Sequence, residues 1–225
     1  MRTALLALVV CCFPLTAADV IAVFPLQIGN RWTYEHEDWS GDRLHPTISR
    51  WTTVTTVRGL VAVPDGSIIL RDTKVVNGQP NGGWIGEHGS FHYLLRGECL
   101  YFLNRPDWNE AAQKLTEPFR DLLVRGAVAP DLCFPLATGK HWSGNADHCA
   151  EWFVEGRGQG PAAFIPGSVE ARDVHLFSPQ MCGGEIGHRW FRTGEGITGE
   201  WTWHNGTFGE LHVRLVKFEP GGAPQ

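Results

Sequence analysis

The chain has 225 residues and a formal net charge of −5, with acidic and basic residues scattered rather than gathered into blocks. No positive stripe is available for a phosphate backbone, so nucleic acid is excluded as a natural partner. Past the first fifteen residues no stretch is apolar enough to span a bilayer as a helix, so no transmembrane segment is expected in the mature chain.

Met1-Arg2-Thr3 leads into an apolar run from Ala4 to Leu15 that is broken only by Pro14. A run of about twelve residues is too short to cross a membrane, which needs roughly twenty. The small residues of Thr16-Ala17-Ala18 suit cleavage after Ala18. Residues 1–18 therefore read as a secretory signal and 19–225 as a single β-rich domain, exported and periplasmic or extracellular. Val10 precedes Cys11 where a bacterial lipidation signal wants a small residue, which disfavours a lipid anchor.

Beyond the signal, β-branched and aromatic residues alternate with polar ones between Gly, Pro and Asn turns. In chain order the strands expected are Arg31 to Glu37, Ile48 to Val57, Ser67 to Val76, Phe91 to Leu95 and Cys99 to Leu103. Pro64-Asp65-Gly66 and Asn77-Gly78 supply turns around the third strand, and Arg96-Gly97-Glu98 closes a tight hairpin between the last two. One short helix starts at Asp107, with Glu110 three residues on as a capping partner and Pro118 as its limit. Further strands are expected over Trp152 to Glu155, Ser168 to Phe177, Gly187 to Arg192, Ile197 to His204 and Phe208 to Phe218, with Asn205-Gly206 turning the last hairpin. In the final strand Leu211, Val213 and Leu215 share one face and His212 and Arg214 the other, so one face of the sheet is buried and one wet.

Once the signal is gone the cysteines are Cys99, Cys133, Cys149 and Cys182. An even count in an exported chain suggests two disulfides with three possible connectivities, which spacing alone does not separate. Sequential pairing, Cys99 with Cys133 and Cys149 with Cys182, closes the shortest loops.

Phe24-Pro25-Leu26-Gln27-Ile28-Gly29-Asn30-Arg31-Trp32 is echoed by Phe134-Pro135-Leu136-Ala137-Thr138-Gly139-Lys140-His141-Trp142. In each, Pro favours an extended approach, Gly allows a turn that a side chain would block, and Trp packs where a strand begins. Duplication of a structural half and chance likeness of two loop-to-strand passages both account for it.

The stretch from Phe24-Pro25-Leu26 to Gly29-Asn30-Arg31-Trp32-Thr33-Tyr34, soon after the signal, resembles the opening of a group of exported bacterial proteins of uncharacterised function. The end is similar as well: an aromatic strand, the Gly194-Glu195-Gly196 turn, and a hairpin closing on Leu215 to Phe218. What the resemblance implies is a curved antiparallel sheet, an open half-barrel similar to lipoprotein-carrier domains; it brings no catalytic residues.

Candidate chemistry is thin. His88 and His92 could share a strand face, with His141 and His148 as partners for a metal, but no H-E-x-x-H accompanies them and no metal or cofactor is expected. Glu35, Glu37 and Asp38 could serve as paired carboxylates, though a solvated strand face explains them more simply. Gly156-Arg157-Gly158-Gln159-Gly160 lacks the helix and lysine that a phosphate loop needs. Ten tryptophans remain, which suit a β core first and a ligand-lining surface second. The candidate ligand-binding residues are Trp142, Trp152, Trp190, Trp201 and Trp203.

The expected protein is all-β and mainly antiparallel: a curved sheet or open half-barrel with one short helix, and two related halves if the echo marks duplication. Its expected role is non-catalytic binding of an apolar or amphiphilic small molecule, or of a protein partner, on the concave face. The competing class is an exported hydrolase using His141, His148 and nearby carboxylates, and a third is a structural module of the cell envelope with no pocket.

Overall fold

The computed structural model describes residues 20, 23–63, 66–80, 92–103, 128–144, 150–158, 160, 167, 169–179, 181, 184–204 and 209–222. Six strands make up the first half: β1 (Arg31–Gly41), β2 (Pro46–Val63), β3 (Gly66–Gly78), β4 (His92–Arg96), β5 (Cys99–Leu103) and β6 (Val128–Cys133). Six more make up the second: β7 (His141–Ser143), β8 (Glu151–Arg157), β9 (Val174–Ser178), β10 (Glu185–Arg192), β11 (Gly196–His204) and β12 (Gly209–Glu219).

All twelve join one antiparallel sheet in the order β6-β5-β4-β3-β2-β1-β12-β11-β10-β9-β8-β7. Each half is an up-and-down meander, and β12 returns to pair with β1 from Arg31↔Glu219 to Ser40↔Gly209. The two ends of the order, β6 and β7, are consecutive in the chain and approach one another. The sheet thus rolls into a nearly closed barrel with a single seam, further round than an open half-barrel. Rolling up leaves only two edges to protect, and both edge strands are short.

Most strand boundaries fall within a few residues of those expected, and three differences have physical causes. The strands β6 and β7 were not expected at all. β6 carries Pro130, which has no N–H for a ladder and is tolerated because β6 is an edge; β7 has only three residues. The strand expected from Ser168 begins only at Val174, because Asp173 ties a turn ahead of it: its carboxylate accepts from the Glu170 N–H at 3.0 Å, and its own N–H bonds the Glu170 carbonyl at 2.9 Å. The same carboxylate takes a fork from Arg192, at 2.7 and 3.0 Å, and the Thr198 hydroxyl at 2.9 Å, pinning that turn onto β10 and β11. The helix from Asp107 lies outside the described residues, as do residues 1–18, the Asn205-Gly206 turn, Cys149 and Cys182.

Cys99 and Cys133 face each other on β5 and β6 and form a disulfide, as sequential pairing expected. The interior core draws one face of nearly every strand: Trp32, Val57, Ile69, Leu95, Leu100 and Leu132 from the first half, and Trp142, Trp152, Val154, Leu176 and Phe191 from the second. Phe24 and Phe134, the first residues of the two echoed segments, both pack on Phe191, at 5.6 and 5.5 Å between ring centroids.

The echo extends to the backbone. Asn30 N–H bonds the Gln27 carbonyl at 3.1 Å and Lys140 N–H bonds the Ala137 carbonyl at 3.0 Å, closing the same four-residue turn. Its third residue is Gly29 at φ 89° or Gly139 at φ 85°, the left-handed position that a type II turn gives to glycine. Each glycine then donates 2.9 Å to the next strand, Gly29 to the Val57 carbonyl and Gly139 to the Val154 carbonyl. The two valines bond back to Asn30 and Lys140 at 3.0 and 2.9 Å. Identical turns and ladders at both half-starts match duplication rather than chance.

A side chain at Gly139 would meet no heavy atom within 4 Å, whereas one at Gly29 would come within 3.2 Å of the Gly221 backbone. Gly139→Ala is therefore expected to lose about 1 to 2 kcal/mol through the left-handed backbone alone, and Gly29→Ala more. Urea unfolding of the two variants checks the ranking; equal losses, or a neutral Gly139→Ala, would contradict the shared turn.

Candidate functional site

Strand alternation decides what points inward, and in the first half it points polar groups there. On β2 the buried series is Trp51, Thr53, Thr55 and Val57, and on β3 the inward parity gives Ile69, Arg71 and Thr73. Of these, Thr53, Thr55, Arg71 and Thr73, with Trp32, Tyr34 and His36 of β1 and Tyr93 of β4, line a cavity of about 210 Å³. Phe24, Leu26, Phe102, Ile197 and Val213 supply its apolar wall, and Asp131, Arg189 and Glu200 close it across the interior.

The polar wall is a buried ion network. Arg189 Nη1 donates to Asp131 Oδ1 at 2.7 Å, and its Nε lies 2.5 Å from Glu200 Oε1. Its guanidinium also stacks over Trp152, 4.9 Å from the ring centroid. The Tyr93 hydroxyl donates to the other Asp131 oxygen at 2.8 Å. Arg71 lies over the Tyr93 ring at 4.4 Å. Burial pulls the Asp131 carboxyl upward, but Arg189, the Tyr93 hydroxyl and Arg71 together outweigh it and hold the group below the ordinary carboxylate value. Burial pushes the phenols of Tyr34 and Tyr93 well above their usual range, so both stay neutral donors.

Further along the wall, the Tyr34 hydroxyl donates to the Ile197 carbonyl at 3.1 Å. His36 Nε2 lies 2.8 Å from the Thr53 hydroxyl, and the Thr55 and Thr73 hydroxyls are 2.8 Å apart. The result is a chamber lined by apolar side chains and neutral donors around a paired charge.

None of the five tryptophans named from sequence lines this cavity. Trp142 and Trp152 point inward and are buried in the core beside it. Trp190, Trp201 and Trp203 point away from it: Trp201 and Trp203 share a face and stack at 6.3 Å, but it is the outer one. There they continue a ring ladder, with Trp201 on His188 at 4.7 Å, His188 on His175 at 5.1 Å, and His175 on Trp190 at 5.1 Å. His175 is fully buried, bonded through Nδ1 to Glu155 at 2.9 Å and through Nε2 to His188 Nδ1 at 3.0 Å. Desolvation lowers both imidazoles, with Glu155 opposing the shift at His175 and the neighbouring His175 adding to it at His188, which falls to about 4.

The remaining candidates disperse. His141 is exposed on the outer face, stacked on Phe153 at 5.8 Å, and His92 is buried with Nδ1 accepting 3.4 Å from the Arg71 N–H. His88 and His148 lie outside the described residues. Glu35 and Glu37 point outward to Arg214 and Arg50, while Asp38 is buried on the opposite face. Among the described residues no group of three or more His, Cys, Asp or Glu side chains is placed to hold a metal, and no helix is long and apolar enough to cross a membrane.

The residues that make the cavity escaped sequence reading because charged residues in strands were assigned to the wet face. Parity alone held the clue: Arg71 shares its face with Ile69, and Arg189 with Phe191. Glu200 was hidden further by the irregularity between β10 and β11, where Phe191 pairs with Ile197 but Trp190 pairs with Gly199. The extra residue turns both Ile197 and Glu200 inward.

No known protein family and no curated protein matches this chain. Solved structures do resemble it. A Bacteroides fragilis protein of YmcC-like fold, described as exported, is 11% identical over 88% of this chain and 98% of its own, with a TM-score of 0.44. A Parabacteroides distasonis protein described as a lipoprotein is 9% identical over 88% and 98%, with a TM-score of 0.41. A LolA superfamily protein from Nitrosomonas europaea is 8% identical over 93% and 96%, with a TM-score of 0.25.

Two pH windows follow from the buried groups. For His175 and His188 the folded state refuses protons that the unfolded chain takes up near pH 6.5, so stability falls as pH drops from about 6.5 toward 4. The Asp131 contribution is complete above an unfolded value of about 3.9 and is lost as pH falls through the lower folded value. In urea midpoints measured against pH, His188→Gln should flatten the upper window and Asp131→Asn only the region below about 4. A His188→Gln curve with the wild-type slope would contradict the first assignment.

Proposed function

We propose that the chain is an exported, non-catalytic binding protein, periplasmic or extracellular, which takes the apolar part of an amphiphilic ligand into the cavity between β1–β4 and β10–β12. The export signal and the Cys99–Cys133 disulfide support the address. One observation carries the function: a chamber of about 210 Å³ whose lining includes Phe24, Leu26, Trp32, Phe102, Ile197 and Val213. An engineered cavity of roughly 150 Å³ already takes a benzene ring, so this one has room for a somewhat larger apolar group. A concave, largely apolar site with a few convergent polar groups is the usual form of a small-molecule site.

The related half supplies a means of closing it. Because Val57 and Val154 hold equivalent places, Trp32↔Thr55 in the first half corresponds to Trp142↔Trp152 in the second. A tryptophan fills the second half where Thr55 leaves room in the first. Thr55→Trp should therefore fold with an unchanged far-ultraviolet spectrum, lose about 1 to 3 kcal/mol in urea unfolding through overpacking and loss of the Thr73 partner, and block the chamber. With the neutral fluorophore N-phenyl-1-naphthylamine as probe, wild type is expected to bind and Thr55→Trp to bind at least tenfold more weakly. Equal binding by the two proteins would place the ligand elsewhere and end this reading.

A further inference from the structure

Two arginines line the cavity, and they are not in the same condition. Arg189 is committed: its Nη1 bonds Asp131 at 2.7 Å and its Nε contacts Glu200 at 2.5 Å. Among the described residues Arg71 has no carboxylate in ion-pair contact. Its side chain has the inward parity of Ile69 and Thr73, its guanidinium rests 4.4 Å over the Tyr93 ring, and its Nε, like that of Arg189, is buried without a hydrogen bond among the described residues. Stacking on an aromatic face fixes the plane of a guanidinium while leaving its edge donors available. A fixed, planar fork of N–H donors is the geometry that binds a carboxylate through two parallel hydrogen bonds.

The groups around it set the charge that would be accepted. Asp131 and Glu200 against Arg71 and Arg189 bring the cavity wall to formal neutrality, with Arg189 already holding both carboxylates. A singly charged head beside Arg71 leaves one net negative charge in the chamber, and a doubly charged head leaves two, close to Asp131 and Glu200. Neutral donors are also at hand: whichever of Thr55 and Thr73 donates within their 2.8 Å pair, the other keeps its proton to give.

We propose that Arg71 is the head-group receptor of this cavity and that its ligand is a single-chain amphiphile ending in one carboxylate, the chain lying against Phe24, Leu26 and Ile197. This rests on the binding function proposed above and narrows its ligand class. Arg71 is thereby a specificity residue in addition to the charge it sets near Asp131.

The test displaces N-phenyl-1-naphthylamine from the full mature chain at pH 7.5 with three probes of one chain length: dodecanoate, dodecanol and dodecyl phosphate. Wild type is expected to bind dodecanoate at least tenfold more tightly than dodecanol, with dodecyl phosphate weaker than dodecanoate. Arg71→Met should bring dodecanoate down to the dodecanol level, and Arg71→Lys should recover part of the preference, since it restores charge without the fork. The wild-type preference is a readout that needs no variant to fold. Absence of a carboxylate preference in wild type, or an unchanged preference in Arg71→Met, overturns the assignment to Arg71 while leaving the cavity as a binding site. Dodecyl phosphate binding as tightly as dodecanoate overturns the charge argument. Failure of every probe, including the fluorophore, removes the binding function itself and this inference with it.

Discussion

The interior of this barrel is organised by one buried cation. Arg189 stands on β10 and reaches across to Asp131 on β6, the strand at the far edge of the sheet order, while also contacting Glu200 on the adjacent β11. Taking such a charge from water costs several kcal/mol, recovered only where carboxylates and hydrogen bonds surround it. Asp131 and Glu200 meet that demand, the Tyr93 hydroxyl completes Asp131, and the Trp152 ring covers the guanidinium face. Side chains at this level cannot then be packed as plain hydrocarbon. The cavity is the space left between a core that closes on one side and a network that must keep its polar atoms satisfied.

Its position follows from an inequality between two related halves. Both begin with the same turn, the same glycine conformation and the same paired hydrogen bonds to the second strand of the half. From there the inward faces diverge: Trp51, Thr53, Thr55 and Val57 on β2, against Trp152 and Val154 on β8. Large rings fill the second half to core density, whereas the threonines of the first half bring hydroxyls and little volume. Threonine suits a strand as well as valine does, so the substitution of polar for apolar inward residues changes the contents of the barrel without disturbing its walls.

How much of this was legible depends on which physical signal each element carries. Alternation and turn residues located ten of the twelve strands, because long half-buried strands such as β12 write period two directly into the sequence. The edge strands left no such mark: three residues in β7 and a proline in β6 are too little pattern. Shared faces were also readable, as with Trp201 and Trp203, yet parity says only that two side chains agree, and not which side of the sheet they take. The cavity was illegible for a related reason. Arg71, Asp131, Arg189 and Glu200 lie far apart in the chain and meet only through closure of the sheet, so each alone reads as an ordinary surface charge.

The outer ring ladder explains why tryptophan content was a poor guide to the site. Strands β9 and β10 bury both faces: Val174, Leu176 and Phe191 inside, and His175, His188 and Trp190 outside. A second layer of stacked rings backs this wall, and Gly160 approaches so closely that an added Cβ would lie 2.9 Å from Trp190. Opposite, β2 and β3 carry no second layer of described residues, with Val54, Thr56 and Asp72 half-buried and Arg58, Lys74 and Val76 exposed on the outer side. The chamber therefore has one wall held rigidly in place by packing on both sides, carrying Arg189, and one wall whose outer surface is wet, carrying Arg71. Among the described residues no second packed layer backs β3, so adjustment of the cavity to what it holds is cheaper on the Arg71 side.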